Sequence, residues 1–512
     1  MAFNSILYNN PEITYSGESS TIPSCFHDLN LDLMADTLTA GREEYNLKPI
    51  YYDRLRSSDE IYYRQDVFKD LENPDLTTKL KLFGKKMQTI RSQEVAAGKL
   101  FYKYHRERWI LETINYYCNS VEDLCNDLLS VDIKSEGLQS FSAYLKEYLN
   151  SDQFKYMSGR AKKILTDLSA IQYSILYRNL RVQVMEYSPA TDYAEEIKRS
   201  FSRFTESQVK DYRIEYKSYP LEMNDVEAKI LDGVVFLYPD VFADLEDFCN
   251  KHREYPDRII CTFDREIQFY ISYLDFINNL RDAGLNFCYP VIASGSKEIN
   301  SFDAFDIVLA NKLCTEKLPV VLNDFYLGGK ERVIIVSGPN QGGKTTFARM
   351  FGQLHYLSGL GCPVPGTRAQ LFLPDNLLTH FEKEEDIKNL RGKLKEDLVR
   401  MNDIIQNATE SSILILNEIF NSTTLQDQVF LSKRIMQKII ELDLVCVCVT
   451  FIDELADMDR KIVSMVSTIV PDNPAIRTYK VLCRPADGLA YAISIAEKYN
   501  LTYKSLKDRL KI

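Results

Sequence analysis

No part of this 512-residue chain stays apolar for the roughly 18 uninterrupted residues that a membrane-crossing helix needs. The start, Met1-Ala2-Phe3-Asn4-Ser5, lacks the basic stretch and following apolar run of a secretory leader. A cytoplasmic, unprocessed chain with no membrane partner is therefore expected. Eleven cysteines are scattered without a Cys-x-x-Cys pair, and several lie in apolar runs such as Val445-Cys446-Val447-Cys448-Val449, as reduced core residues do. Basic excess is also missing. The net charge is −11, with 36 Lys and Arg against 47 Asp and Glu in residues 1–300, and 26 against 26 in residues 301–512. That balance argues against a broad nucleic-acid surface in the first part, although a local basic patch is compatible with it. Internal repeats and low-complexity segments are absent as well.

The length suits about three domains. Residues 1–25 are polar and turn-rich, which predicts a loosely attached lead-in, and apolar spacing resumes from Phe26 to Leu38. From about Tyr51 to Leu129 the pattern is helical, with a long amphipathic stretch from Gly98 through Trp109 to Leu129. Its many aromatics fit helix packing better than base stacking, which would need basic residues between them. Two helices are expected over 136–150 and 153–172. Leu180, Val182 and Val184 then alternate with polar neighbours as in a half-buried strand. A helix over about 193–205 and a strand at Tyr212, Ile214 and Tyr216 complete a strand-containing insert at about 175–240. Helices are read again from Val241 to His252, with Asp240 as N-cap, and from Phe263 to Ala283, with Gly284 closing the end. An extended run, Asn286 to Ile292, precedes a boundary at 294–296.

After residue 301 strands alternate with helices, which implies a mostly parallel, covered sheet. The β-branched run Val333-Ile334-Ile335-Val336 leads into Gly338-Pro339-Asn340-Gln341-Gly342-Gly343-Lys344-Thr345, and a helix-compatible segment follows. Glycines at this spacing bring backbone N–H groups to phosphates, while the next helix directs its positive end at them. Lys344 is expected to reach the outer phosphates of ATP and Thr345 to ligate Mg²⁺. A second buried strand, Ile413 to Leu416, ends in Asn417-Glu418. There a nucleotide-hydrolysing site needs a Mg²⁺-associated residue, for which Asn417 is the candidate, and a base to polarise water, for which Glu418 is the candidate catalytic residue.

These segments resemble the MutS family. Its phosphate loop reads close to GPNxGGKS/T, and Gly361-Cys362-Pro363-Val364-Pro365, Thr450-Phe451-Ile452-Asp453-Glu454-Leu455 and Leu489-Ala490-Tyr491-Ala492-Ile493 are similar to further family segments at kept spacing. Tyr63-Arg64-Gln65-Asp66-Val67 and Phe287-Cys288-Tyr289-Pro290 resemble the approaches to the family's lever domain. The resemblance implies an α plus α/β fold. A lead-in (1–45) precedes a helical lever, or core-like, domain (46–300) with its insert, and then a P-loop ATPase domain of ABC type (301–512). It also implies a homodimer or paralogue heterodimer with composite ATP sites. Asn323, Gly392, Lys393 and Phe451 are carried over as further nucleotide-site positions.

The departures bear on function. Asn417 stands where the family has Asp, which weakens metal binding. Phe451 replaces a His that senses nucleotide across the dimer. Gly392-Lys393-Leu394 lies near the family's Ser-Thr-Phe signature, where Lys393 is either a cation offered to the partner's phosphate or a solvated helix residue. Val320 falls where an aromatic usually meets adenine, so stacking would come from elsewhere, with Phe325 and Tyr326 as candidates. With the lever beginning by about residue 50, the mismatch-reading and connector domains of the family are expected to be missing from this sequence. The expectation is an ATPase with slow hydrolysis that moves helical arms, with DNA as one load. The alternative is a nucleotide-gated scaffold that acts on a protein partner.

Overall fold

Apolar residues at three- and four-residue steps build the first half, and buried β-branched runs build the second. A computed structural model describes residues 3–10, 21–179, 181–188, 199–200, 223–293, 295–382, 392–470 and 473–486. Contacts divide the chain into two units: Met1–Phe3 with Pro74–Ile133 and Gln139–Asp264, and Asn4–Asn73 with Lys134–Leu138 and Arg265–Ile512.

In the first unit, helices Pro74–Lys99 and Lys103–Leu129 run antiparallel across a three-residue turn. Leu80, Phe83, Met87 and Ile90 of one and Leu111, Ile114, Cys118 and Val121 of the other are buried. The amphipathic stretch thus begins at Lys103 rather than at Gly98, because Tyr102 is extended (φ −78°, ψ 125°). Helices Glu136–Asn150 and Asp152–Ser169 match expectation. Ser151 Oγ caps the second by accepting from Phe154 N at 3.2 Å. The numerous aromatics pack: Phe141 stacks on Phe263 with centroids 3.6 Å apart, and Tyr117 meets Tyr255 edge-on.

Strands β1 (Tyr173–Arg178) and β2 (Arg181–Glu186) form an antiparallel hairpin. The alternation of Val182 and Val184 marks β2. Nothing comparable marks β1, whose Tyr173, Ile175, Leu176 and Tyr177 are all exposed. Helix Asp225–Leu237, opened by a capping box at Asn224, occupies a stretch read from sequence as strand-containing. Val184 packs where Gly233 of this helix has no side chain. The expected helix over 193–205 lies outside the described residues apart from 199–200, which are helical, and so does the expected strand at 212–216. Asp240 is not the N-cap of the next helix. That helix, Pro239–Lys251, starts at a proline whose fixed φ suits a first helical position, which leaves Asp240 in the first turn.

In the second unit the lead-in is not loose where it is described. Ile6, Leu7 and Tyr8 are buried. Glu266 accepts from Ser5 Oγ at 2.7 Å and Ile6 N at 2.8 Å, Tyr270 Oη donates to Ile6 O, and Glu60 accepts from Asn9 N and Asn10 N. Composition suggested otherwise because this segment is held by carboxylates from distant positions, Glu266 for Ser5 and Ile6 and Glu60 for the backbone of Asn9 and Asn10. Arg64, fully buried, joins it to the later chain by donating to Leu7 O at 2.9 Å and Leu360 O at 3.1 Å. Helix Arg258–Asp282 ends as expected at Gly284 (φ 88°), where Leu285 N bonds back to Leu280 O.

Short strands β3 (Phe287–Cys288) and β8 (Val364–Pro365) pair. β4 (Val291–Ala293), β9 (Arg368–Phe372), β5 (Ile299–Ala304) and β6 (Asn323–Leu327) make a four-stranded sheet. The larger sheet contains β7 (Val333–Ser337), β10 (Leu377–His380), β11 (Ile413–Asn417), β12 (Val445–Val449), β13 (Ile462–Val470) and β14 (Asn473–Cys483) in the order β10-β11-β12-β7-β13-β14. All neighbours are parallel except β13 and β14, so the fold is mixed helix and sheet with a largely parallel six-stranded sheet. β7, β11 and β12 are almost wholly buried, as covered parallel strands are. β13 carries no sequence signal as plain as theirs.

Candidate functional site

The order β11-β12-β7-β13 brings four strand ends to one edge of the sheet. Ligands of open parallel sheets gather outside the carboxyl ends of the strands. There, Gly338 leaves β7 at φ 114°, and a Cβ on it would lie 2.5 Å from Ser467 Oγ of β13. Gly343, at φ 91°, turns the loop into helix Lys344–Gly359. Only glycine takes both conformations without strain. Gln341, between them, also has positive φ (58°).

The Lys344 ammonium folds back over the loop, donating to Gly338 O at 2.9 Å and Pro339 O at 3.3 Å. It lies 3.7 Å from the centroid of the Phe451 ring. Burial pulls its pKa down to about 8, against the opposing carboxylate of Glu418 and with added repulsion from Arg477. Thr345 Oγ1 donates to Asn417 Oδ1 at 3.0 Å, which joins the start of helix Lys344–Gly359 to the end of β11. Glu418 follows at φ 53° and donates its backbone N–H to Val449 O at 2.9 Å. Burial raises its carboxyl pKa, Lys344 lowers it and Glu382 adds to the rise.

These groups open onto a cleft of about 570 Å³. Its polar end is formed by Asn340, Gln341, Gly342, Gly343, Lys344, Thr345 and Glu418, and its far wall by Leu309, Leu313, Leu318, Pro319, Val320 and Val321. The structure thus brings together the phosphate loop, Asn417, Glu418, Phe451 and Asn323. Asn323 works through its amide, donating to Tyr479 O at 3.2 Å and accepting from Val481 N at 2.8 Å, and so ties β6 to β14 beside the cleft. Gly392 and Lys393 do not line it. Gly392 precedes helix Lys393–Asn407, and Lys393 Nζ is held by Glu382 Oε1 of the same chain at 2.5 Å.

The stacking candidates fail on geometry. Phe325 is 1% exposed and packs on Phe351, while Tyr326 is exposed but absent from the cleft lining. The lining aromatic is Tyr479, which sequence reading missed, and its backbone lies against Gly343. Arg477, also missed, donates from Nε to Asn340 O at 3.1 Å. Ser467, the third such residue, is buried against the loop, and its hydroxyl has no hydrogen-bond partner among the described residues. No local motif marks the three. They reach the loop because β13 pairs with β7 and β14 folds back on β13.

Residues 334–508 match the family model for MutS domain V. This C-terminal part of the chain is MutS-related. The chain is 24% identical over 301 residues to the DNA mismatch repair protein MutS of Finegoldia magna, covering 57% of this chain and 34% of that protein. Against MutS of Chlorobaculum tepidum it is 29% identical over 218 residues, covering 41% and 24%. For MutS of Thermotoga petrophila the figures are 24% over 285 residues, covering 54% and 34%. The chain thus spans about a third or less of the length of these relatives. No helix among its described residues is long and apolar enough to cross a membrane.

The donor set fits a magnesium-bound nucleoside triphosphate in part. Backbone N–H groups at a helix N-terminus and a desolvated lysine suit its phosphates. Where such a magnesium ion would sit, the oxygens are the neutral ones of Thr345 and Asn417, with the Glu418 carboxylate one residue further on.

Proposed function

We propose that the chain is a MutS-like ATPase that binds ATP with Mg²⁺ in the cleft beside the phosphate loop and hydrolyses it slowly. The observation that carries the reading is the convergence of Lys344, Thr345, Asn417 and Glu418, from the ends of β7 and β11, on one cleft with an apolar far wall. Lys344 binds the outer phosphates and the backbone of 340–344 cradles them. The base lies between the aliphatic wall and Tyr479. Thr345 ligates the metal with help from Asn417, and bound Mg²⁺ supplies charge neutralisation on the phosphate oxygens. Glu418, its pKa raised by burial, accepts a proton from the attacking water. Two copies, or this chain and a paralogue, complete each other's sites, and closure moves the helical segments. Nucleic acid is the load that the family relationship suggests for those segments. Binding that fails to weaken as salt rises would rule out a phosphate-contacting mode.

A second reading, a nucleotide-gated scaffold with little turnover acting on a protein partner, is favoured by one observation: the amide oxygen at 417, where a carboxylate is wanted, accepts the Thr345 hydroxyl. Calorimetric titration with ATP and Mg²⁺, with light scattering to follow mass, tests both. Saturable binding that Lys344→Ala abolishes supports the nucleotide site, and unchanged binding in that variant sinks it. A rise in mass with ATP supports composite sites.

A further inference from the structure

Phe451 leaves the carboxyl end of β12, the strand paired with β7 through Val449 and Val336. Its backbone is pinned on both sides. Thr450 N donates to Val336 O at 3.1 Å, and Thr450 Oγ1 accepts from Ile452 N at 3.0 Å. The sheet therefore delivers the ring to the root of the phosphate loop whatever the rest of the site does. Phe451 is 50% exposed, whereas Lys344 is 4% exposed. Two protons of the ammonium are spent on Gly338 O and Pro339 O, and its remaining side faces the ring 3.7 Å away. An ammonium at that distance from an aromatic face is held by the ring quadrupole, and more strongly when water is excluded.

We propose that Phe451 is a positioning residue that parks the Lys344 ammonium against its own loop, so that a nucleotide's outer phosphates must compete with the ring for the lysine. This rests on the ATP reading of the cleft. The parked lysine is a resting state: binding energy is spent on breaking the cation–π contact before phosphate contacts are gained, and affinity is set below what the loop alone would give. Ligands whose phosphates do not reach Lys344 leave the contact intact. The device discriminates by phosphate number rather than by base.

Two measurements on the full chain test the proposal, the first without nucleotide. Acylation of Lys344 by a lysine-selective reagent, followed by mass spectrometry, is expected to be severalfold faster in Phe451→Leu, which keeps apolar bulk and loses the ring, and unchanged in Phe451→Tyr. ATP affinity is then expected to tighten by about 3- to 30-fold in Phe451→Leu, the span of such a contact, and to stay near wild type in Phe451→Tyr. Equal labelling in the Leu variant, or affinity that is unchanged or weaker, overturns the proposal. Labelling that shifts as expected in a chain that binds no ATP in any form supports the parked lysine and overturns the ATP reading instead.

Discussion

Thr345 Oγ1 donates to Asn417 Oδ1 at 3.0 Å, although the two residues lie 72 positions apart. The bond closes the polar end of the cleft with a neutral acceptor where a carboxylate would hold a divalent cation more firmly. Replacing the amide with a carboxylate restores an electrostatic term that matters most where charge is redistributed between phosphates and water. Asn417→Asp is therefore expected to raise Mg²⁺-dependent phosphate release on the order of tenfold or more. Steady-state turnover is the measurement, and no change would favour the scaffold reading.

Gly338 combines φ 114° with a neighbour, Ser467 Oγ, 2.5 Å from where a Cβ would stand. Gly338→Ala must strain the backbone and push apart the loop and β13. A loss of about 1–3 kcal/mol is expected, read as a lower thermal midpoint together with weakened ATP binding. The companion Ser467→Ala opens less than a methyl's worth of space, so Gly338→Ala should remain impaired in that background.

Lys344 has a pKa brought down to about 8 by burial. Phosphates favour its charged form, so the bound-state pKa is higher than the free one. Above pH 8 binding therefore takes up a proton, and ATP affinity falls as pH rises from about 8 toward the bound-state value. Calorimetry in buffers of different ionisation enthalpy at pH 8.5 or so should show net proton uptake. A buffer-independent heat would contradict it.

Tyr479 is the aromatic of the cleft lining. Tyr479→Ala should weaken ATP by about 0.5–1.5 kcal/mol and leave inorganic tripolyphosphate unaffected, because only the nucleotide has a base to stack. Equal loss for both ligands in competition titrations would place the residue on the loop rather than on the base.

Glu266 is pushed up to about 7 by burial, against the hydrogen bonds from Ser5 and Ile6 and the charge of Arg64. The folded chain then holds a proton that the unfolded chain has released between its ordinary carboxyl range and pH 7. Stability from this group is complete below about pH 4.3, falls as pH rises to 7, and is flat above it, by a few kcal/mol at most. Glu266→Gln should flatten the slope of thermal midpoint between pH 5 and 7 relative to wild type. A parallel pair of curves would remove Glu266 as the cause.

Much of the site was legible because phosphate chemistry is local: glycines, a lysine and a threonine must be adjacent for the backbone to wrap a phosphate, and Val333 to Ser337 had to be a buried strand to support them. The pair Asn417-Glu418 was legible for the same reason, at the end of another buried run. The order of strands in the sheet was not. It places β12 between β11 and β7, puts Phe451 on Lys344, and folds β14 back so that Arg477 and Tyr479 reach the loop from about 135 residues away. The docking of Ser5 Oγ and Ile6 N on Glu266 escaped sequence reading because the carboxylate that accepts them lies about 260 positions away. By itself the sequence determined which residues make up the proposed phosphate loop, since that depends on side-chain type and backbone freedom over eight positions. Only the tertiary structure decided what surrounds the lysine and the metal position, because strand pairing, not proximity in the chain, sets which loop ends share an edge.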